Sequence, residues 1–465
     1  MRVIMMVLGG SLLLSGCSLD PHYQRPSAPV PAAWPHGASY PATAQAHSPA
    51  EDIPWREVMV DDKLRQVVEM ALSDNRDLRK AIADVEAARA QLGEQRATLL
   101  PTINAGIDGD RSRSLISGSD STVLSSSYGA SLSTSAFTLD LFGKNRSLTG
   151  AAREAYLSSA ATATSTRLTL IADTATAWVA LATARSNLTL ARQTMESAGQ
   201  SLAVTRSRLR NGVASAVDVA QAETVYQQAR ADVASALTTE AQDKNALDLL
   251  AGRPVPEALL PGDVASLSQA VKPVAAGISS AVLLRRPDVQ AAEHTLKSAN
   301  ANIGAARAAL FPSITLTASN GLSSEALSSL FSGGAHVWSL APSVSLPIFD
   351  GGANLSALRY AEAEKQGYVA SYEKTVQTAF REVADALASK GTIDEQQAAQ
   401  RDYVTAAERS YQLASNRYQA GVDTYLNVLD AQRTLYSARQ SLFSLEQSRL
   451  DNLITLYNVL GGGGK

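Results

Sequence analysis

Apolar residues recur along this chain in two rhythms, one near 3.6 residues and one of two, and the whole programme runs twice. From Asp61 to Thr98 the spacing predicts a helix, which Pro101 stops. Thr102 to Asp108 then alternates, with Ile103, Ala105 and Ile107 on one face, as a strand does. After a serine- and glycine-rich connection, Tyr128, Ala130 and Leu132 alternate with small polar residues. The phase then slips to Phe137, Leu139 and Leu141, predicting a second strand with a bulge at the slip. From Leu148 to Asn211 nothing interrupts a helix for 64 residues, a rod of ~96 Å. Along it Leu157, Ala161, Thr164, Leu168, Ile171, Ala175, Trp178 and Ala182 step by four and three, a heptad seam in which half the residues are Ala or Thr. The rod ends at Gly212, and a shorter helix returns from about Asp218 to Leu250.

Arg253 to Ser280 carries four prolines and predicts an irregular segment. The programme then restarts. Subtracting 211 lays Asp288, Ala301, Gly304, Arg307, Leu310, Pro312 and Ile314 on Asp77, Ala90, Gly93, Arg96, Leu99, Pro101 and Ile103. Two more strands follow, Ile314, Leu316 and Ala318 on one and Trp338, Leu340, Val344, Leu346 and Ile348 on the other. A second long helix runs from about Ala353 to Gln419, with Val369, Val376 and Val383 seven apart and Phe380 and Leu387 beside them, and its return ends at Leu460.

The turn between those last two helices, Arg417 to Arg433, echoes the first turn at an offset of 209. Arg417, Gly421, Val422, Val428 and Ala431 answer Arg208, Gly212, Val213, Val219 and Ala222. Gly421 is placed to close one helix in the left-handed conformation, and Asp423 or Thr424 to cap the next. The expected division is a signal peptide over 1–16 and a strap over 17–60. A first repeat spans 61–252 with its hairpin at 100–142, and an irregular segment spans 253–282. A second repeat covers 283–460 with its hairpin at 311–349, and a tail covers 461–465.

Composition sharpens this picture. Eight of the 17 prolines lie at or before Pro54, and none falls between Thr102 and Arg253 or after Pro347, so long helices are the economical reading. A formal net charge of −3 argues against nucleic acid as a partner. Arg2 and the apolar run from Val3 to Leu14 form a secretory signal too short to span a bilayer as a mature helix. It ends in Leu14-Ser15-Gly16-Cys17, which resembles the bacterial lipobox, and Cys17 is the chain's single cysteine. Acylation there, with Ser18 in the position where an aspartate resembles an inner-membrane retention signal, implies an outer-membrane lipoprotein. Ser18 to Pro54 is rich in proline, alanine and histidine and predicts an extended strap.

Four strands of about ten residues suit a membrane β-sheet, but a spanning sheet tolerates no free edge and barrels begin at ~8 strands. One chain therefore cannot close a barrel, and copies of it must share one.

The chain resembles the TolC-like outer membrane efflux family, specifically its lipoprotein branch serving multidrug pumps of the resistance-nodulation-division type. The resemblance rests on Cys17 with Pro21-His22-Tyr23-Gln24-Arg25-Pro26, on Asn75-Arg76-Asp77-Leu78, and on Leu283-Leu284-Arg285-Arg286-Pro287-Asp288. Leu310-Phe311-Pro312-Ser313-Ile314, Phe349-Asp350-Gly351-Gly352 and the Gly421 tip complete it, so that it covers nearly the whole mature chain. It implies a mainly α protein with membrane β-structure, an internally duplicated protomer that forms a homotrimer. Twelve strands would close the barrel, and a twelve-helix periplasmic barrel would continue it. It also implies a periplasmic adaptor (membrane fusion) protein and an inner-membrane pump as partners, and a tip closed at rest. Leu426 and Asp430 fall where the family narrows its pore. Gly212, Val217, Asp218, Tyr418, Gly421, Asp423 and Arg433 are expected at the tip turns and as adaptor contacts, with capping and packing as rival explanations for the polar ones. Asn427 and Asp423 depart from some relatives, which carry a second aspartate and a basic latch residue there.

No chemistry competes with this reading. His22, His36, His47, His294 and His336 have no metal-ligand spacing, and there is no nucleophile elbow, phosphate loop or His-Glu-x-x-His, so neither a cofactor nor a metal is expected. The rivals are the outer-membrane component of a type I secretion system, a non-channel periplasmic coiled-coil scaffold and, least supported, a cell-wall hydrolase.

Overall fold

The computed structural model describes residues 19–40, 53–115, 120–276, 279–332 and 335–462. Cys17, Ser18, the signal segment, His47 and residues 463–465 lie outside the described residues. The chain divides into two compact units. One comprises 1–27, 84–160 and 291–373, and the other 28–83, 161–290 and 374–465.

Helices α1 (Trp55–Val58), α2 (Asp62–Asp74) and α3 (Arg76–Ala97) precede strands β1 (Asn104–Leu115) and β2 (Thr122–Leu139). Helices α4 (Lys144–Arg210) and α5 (Ala216–Ala251) follow, then a segment of short 3-10 turns. The second round consists of α6 (Pro287–Ala308), β3 (Ser313–Ser324), β4 (His336–Ser345), α7 (Ala353–Gln419) and α8 (Tyr425–Val459). Both long helices, α4 and α7, have 67 residues. Two strands, a 67-residue helix and a shorter returning helix therefore recur in both rounds, whereas α2 and α3 of the first are answered by α6 alone.

One expected helix is two. The pattern from Asp61 to Thr98 breaks at Asn75, whose backbone is extended (φ −62°, ψ 136°). Its side-chain Oδ1 accepts from the amides of Asp77 and Leu78 at 2.9 and 3.0 Å, so Asn75 caps α3. Its Nδ2 donates to the carbonyl of Leu250 at the end of α5. Apolar spacing continues through the break, which is why periodicity alone passes over it.

In the first unit the four strands form one antiparallel sheet in the order β1-β2-β3-β4. Register decides what each face carries, because directly paired residues share a face. Ile107 pairs with Ala130, and Ala105 pairs with Leu132. Leu316 lies between Phe137 and Pro342, Ile314 between Leu139 and Val344, and Ala318 opposite Leu340. The opposite face is small and polar, with Ser133 between Asn104 and Ser319, and Thr315 between Thr138 and Ser343. The bulge expected from the phase slip lies between Thr134 and Phe137, where Ala136 takes φ 52°. In a single copy β1 and β4 are exposed along their whole length, Ile107 at 81% and Trp338 at 72%.

The start of the strap is pinned within the same unit. Asn300 and Arg307 of α6 donate to the carbonyls of Pro21 and Leu19, and Arg25 pairs with the buried Glu293 at 2.8 Å. In the second unit Trp34 is buried and stacks on Phe380 at 5.3 Å, while Ser280 donates to the carbonyl of Pro31. The heptad seam of α4 is buried from Leu168 to Ala182, but so are Leu170, Ala172, Val179, Leu181 and Ala184 off that seam. A helix apolar on several sides is covered by several neighbours. Among them is the proline-rich segment, whose Leu259 carbonyl accepts from Trp178 Nε1 and whose Pro261 carbonyl accepts from Arg185.

Candidate functional site: the paired helical tips

The α4–α5 and α7–α8 turns lie together in the second unit. Both are built on the same backbone device. Gly212 and Gly421 take φ 73° and 75°, a region that costs an L side chain strain but glycine nothing. In each, the residue after the glycine donates back to an arginine carbonyl five residues earlier, Val213 to Arg208 and Val422 to Arg417, at 2.9 and 3.0 Å. This closes the last turn of each helix.

The side chains then diverge. Ser215 caps α5 in a reciprocal box: its Oγ accepts from the Asp218 amide at 3.1 Å, and Asp218 Oδ2 accepts from the Ser215 amide at 2.8 Å. At the second tip Thr424 occupies the cap position, but its side chain makes no capping bond. Asp423 instead braces the turn, its Oδ1 accepting from the amide of the cap residue Thr424 at 2.8 Å and from Asn427 Nδ2, its Oδ2 from Arg417 Nε at 3.1 Å. Those bonds, the Thr424 amide first and then Arg417 and Asn427, hold its carboxyl below the usual carboxylate range. Of the two caps expected from sequence, Thr424 makes no cap bond, and Asp423 accepts from the amide of Thr424 itself and not from the first turn of α8.

Beneath the turns, Leu202, Ala222, Tyr418, Tyr425, Val428 and Leu429 form one buried cluster. Tyr418 and Tyr425 meet at 5.2 Å, and burial pushes the Tyr425 phenol up to about 12. Arg208 joins the two tips: its guanidinium sits 4.6 Å from the Tyr418 ring centroid, and Nη1 donates to the Tyr418 carbonyl at 2.9 Å. Tyr418 is therefore packed inside the tip pair. Val217 is exposed beside Asp218, whose carboxyl is committed to the capping box. Arg208, Leu202 and Tyr425 escaped the sequence reading as members of the site. The Arg208–Arg417 echo was the available signal, but its helix-closing role did not show that Arg208 reaches the other tip.

On α8 the sides separate cleanly. Tyr425, Val428, Leu429 and Gln432 are buried, whereas Leu426, Asn427, Asp430 and Arg433 are exposed, Leu426 at 59%. Leu426, Asp430 and Arg433 sit four and three residues apart and so share one helix face.

The Arg285-Arg286-Pro287-Asp288 motif does different work, also in the second unit. Arg286, 8% exposed, donates to both Asp288 carboxylate oxygens, to Glu382 Oε2 and to the Val459 carbonyl, tying the start of α6 to α7 and to the end of α8. Among the described residues no cluster of His, Cys, Asp or Glu is placed to hold a metal ion, and no helix is long and apolar enough to cross a membrane.

Comparison with known proteins agrees with this architecture. The outer membrane efflux protein family matches residues 67–253 and 278–462. Probable efflux pump outer membrane protein TtgC of Pseudomonas putida is 44% identical over 458 residues, which cover 97% of this chain and 94% of that protein. Outer membrane protein OprJ of Pseudomonas aeruginosa is 41% identical, with 97% and 94% covered. Among solved structures, a membrane protein from Pseudomonas aeruginosa superposes with a TM-score of 0.89 at 40% identity, covering 96% of this chain and all of that one. The open state of the Neisseria gonorrhoeae MtrE outer membrane channel superposes with a TM-score of 0.85 at 36% identity, covering 97% and 99%. With sequence, register and fold in agreement, this chain belongs to the outer membrane efflux protein family.

Proposed function

We propose that the chain is one protomer of a homotrimeric outer-membrane exit channel, and that it passively conducts substrates handed over by a periplasmic adaptor and an inner-membrane pump of the resistance-nodulation-division type. The observation that carries this reading is the sheet. In the half of the sheet nearest the helices one face is apolar and the other small and polar, and its strands have 12, 18, 12 and 10 residues, long enough to cross a bilayer at a tilt. Within one copy the outer edges of β1 and β4 have no strand beside them. A sheet with those faces is stable in lipid only when closed, and pairing β4 of one copy with β1 of the next closes it. The apolar face then meets lipid, and the Ser and Thr face lines water. A surface-hairpin scaffold has no use for that division of faces.

At the tip, the Leu426–Asp430 face is the pore-narrowing element. Three copies would bring three leucines and three carboxylates together, a ring that repels anions and favours cations. Transport energy comes from the pump, and the chain carries out no reaction of its own. Cys17 is the acylation site, with palmitate among its chains.

Reconstituted in planar bilayers, the full chain should show unitary conductance with cation preference. Asp430→Ala should raise resting conductance and weaken that preference, and if neither moves the ring assignment is wrong. Cys17→Ser should abolish palmitate labelling while assembly survives; labelling that persists would place the anchor elsewhere.

A further inference from the structure

The motif Pro21-His22-Tyr23-Gln24-Arg25-Pro26 lies in the first unit, along a single stripe of α6. Glu293, Lys297, Asn300, Gly304 and Arg307 recur at intervals of four and three and so share one face of that helix. The strap meets them in reverse order. Arg307 donates to the Leu19 carbonyl at 3.4 Å, and Asn300 to the Pro21 carbonyl at 2.8 Å. Lys297 Nζ sits 5.3 Å from the Tyr23 ring centroid, and Arg25 Nη2 pairs with Glu293 Oε2 at 2.8 Å. His22 and Gln24 are exposed while Pro21 and Tyr23 are half-buried, the alternation of an extended chain lying on a surface. The lengths agree as well. From Leu19 to Arg25 an extended chain spans about 20 Å, and from Glu293 to Arg307 a helix rises about 21 Å.

Two residues of the stripe are fitted to this occupant. Glu293 is 5% exposed. Burial works against its charge, yet Arg25 and Lys297 outweigh burial and hold its carboxyl below the usual carboxylate range. Its Oε1 accepts from Lys297 Nζ at 3.0 Å and from Tyr23 Oη at 3.3 Å. Tyr23 and Arg25 both belong to the strap, so without the strap the buried carboxylate keeps Lys297 alone. At Gly304 a Cβ would stand 1.7 Å from Asp20 Oδ1, which accepts from Ser147 Oγ of α4. The absent side chain is the seat of Asp20. The internal duplication supplies a contrast. Shifted by 211, the same stripe on α3 reads Ile82, Glu86, Arg89, Gly93 and Arg96. It keeps the glycine and the last arginine, but Ile82 replaces the carboxylate and Glu86 reverses the charge of Lys297. Within one copy a Cβ at Gly93 would meet nothing within 4 Å. The strap occupies the helix whose charges answer its own.

We propose that this stripe of α6 is a peptide-recognition site whose occupant is the chain's own segment Leu19–Arg25, taken in one direction and one register, and that the Arg25–Glu293 pair closes it as a reversible latch. The segment is neither helix nor strand, so side chains select it. Arg307 and Asn300 take carbonyls, the gap at Gly304 takes an acid, Lys297 takes an aromatic ring and Glu293 takes an arginine. The latch holds Leu19 to Arg307, six residues before β3 begins at Ser313. With the lipid proposed above on Cys17, the anchor is thereby kept near the root of the sheet. That consequence rests on the proposed function, and the latch itself does not.

Chymotrypsin digestion of the detergent-purified full chain tests the latch, because Tyr23–Gln24 is the one bond between residues 19 and 54 that follows an aromatic residue and does not precede proline. With latching fast relative to cleavage, the rate reports the fraction of straps released. Wild type should be cut there far more slowly than a synthetic peptide of residues 19–28. Glu293→Gln, which leaves the cleaved sequence intact, should speed the cut about ten- to hundredfold, the worth of a charge-assisted hydrogen bond. Arg25→Ala, normalised to its own peptide, should do the same without lowering the melting temperature of the helices. The double variant should be about as fast as the faster single one, since both remove the same pair. Gly304→Ala should also release the strap, although alanine favours helix over glycine. Wild type cut at the rate of the peptide would overturn the site. So would rates unchanged by Glu293→Gln, Arg25→Ala and Gly304→Ala, or effects of the first two that multiply in the double variant.

Discussion

The two tips share a backbone and differ in how each is held. At the first, Ser215 and Asp218 close a capping box on their own helix, so the start of α5 needs nothing from outside. At the second, Thr424 makes no cap bond, Asp423 holds a set of surface contacts, and Tyr418 and Tyr425 are packed against residues of the first tip. Arg208 crosses from one to the other. Duplication preserved the glycine turn, and side-chain divergence made one tip self-sufficient and the other dependent. Under the proposed gate, the tip that carries Leu426 and Asp430 is the one whose arrangement rests on contacts with its neighbour.

Removing the crossing residue should have the largest effect. Arg208→Ala takes away a charge-assisted hydrogen bond and a cation–π contact, together about 2–4 kcal/mol of packing between the tips. Resting conductance should rise, and amide exchange should quicken around Tyr418. If neither changes, the second tip does not lean on the first. A smaller effect separates the caps. Ser215→Ala should cost about 1 kcal/mol, read as faster amide exchange in the first turn of α5, while Thr424→Ala should alter the first turn of α8 by only a few tenths. Equal losses would erase the asymmetry.

The smallest effect is a pH dependence confined to the second tip. The folded-state pKa of Asp423 lies below its unfolded value. Its contribution is therefore present above the ordinary aspartate pKa and is lost as pH falls through the folded one, below about 4. The protection factor of the Thr424 amide, its rate relative to an unfolded amide at the same pH, should hold through pH 5 and fall only in stronger acid, and Asp423→Asn should remove that dependence.

Much of this was legible in the residues because it follows from local rules. The long helices follow from proline-free apolar spacing, the bulge from a slip of strand phase between Leu132 and Phe137, and both tip turns from Gly212 and Gly421. The Asn75 break was not legible as a break, since its cause is a side chain that caps α3 and also reaches the Leu250 carbonyl, 175 residues away in sequence. Tyr418 illustrates the same limit within the site. Its position one residue after Arg417 says it is near the tip, and only packing against Arg208 and Tyr425 says that it faces inward.

By itself the sequence determined the element order, the internal repeat and the family, because periodicity, helix breakers and motif residues act over a few positions at a time. Only the tertiary structure decided the sheet register, which sorts apolar from polar faces across β1 to β4, and which tip supports the other. Each of these depends on groups up to 210 residues apart meeting at hydrogen-bond or van der Waals distance, and no local pattern encodes which distant partner a side chain will meet.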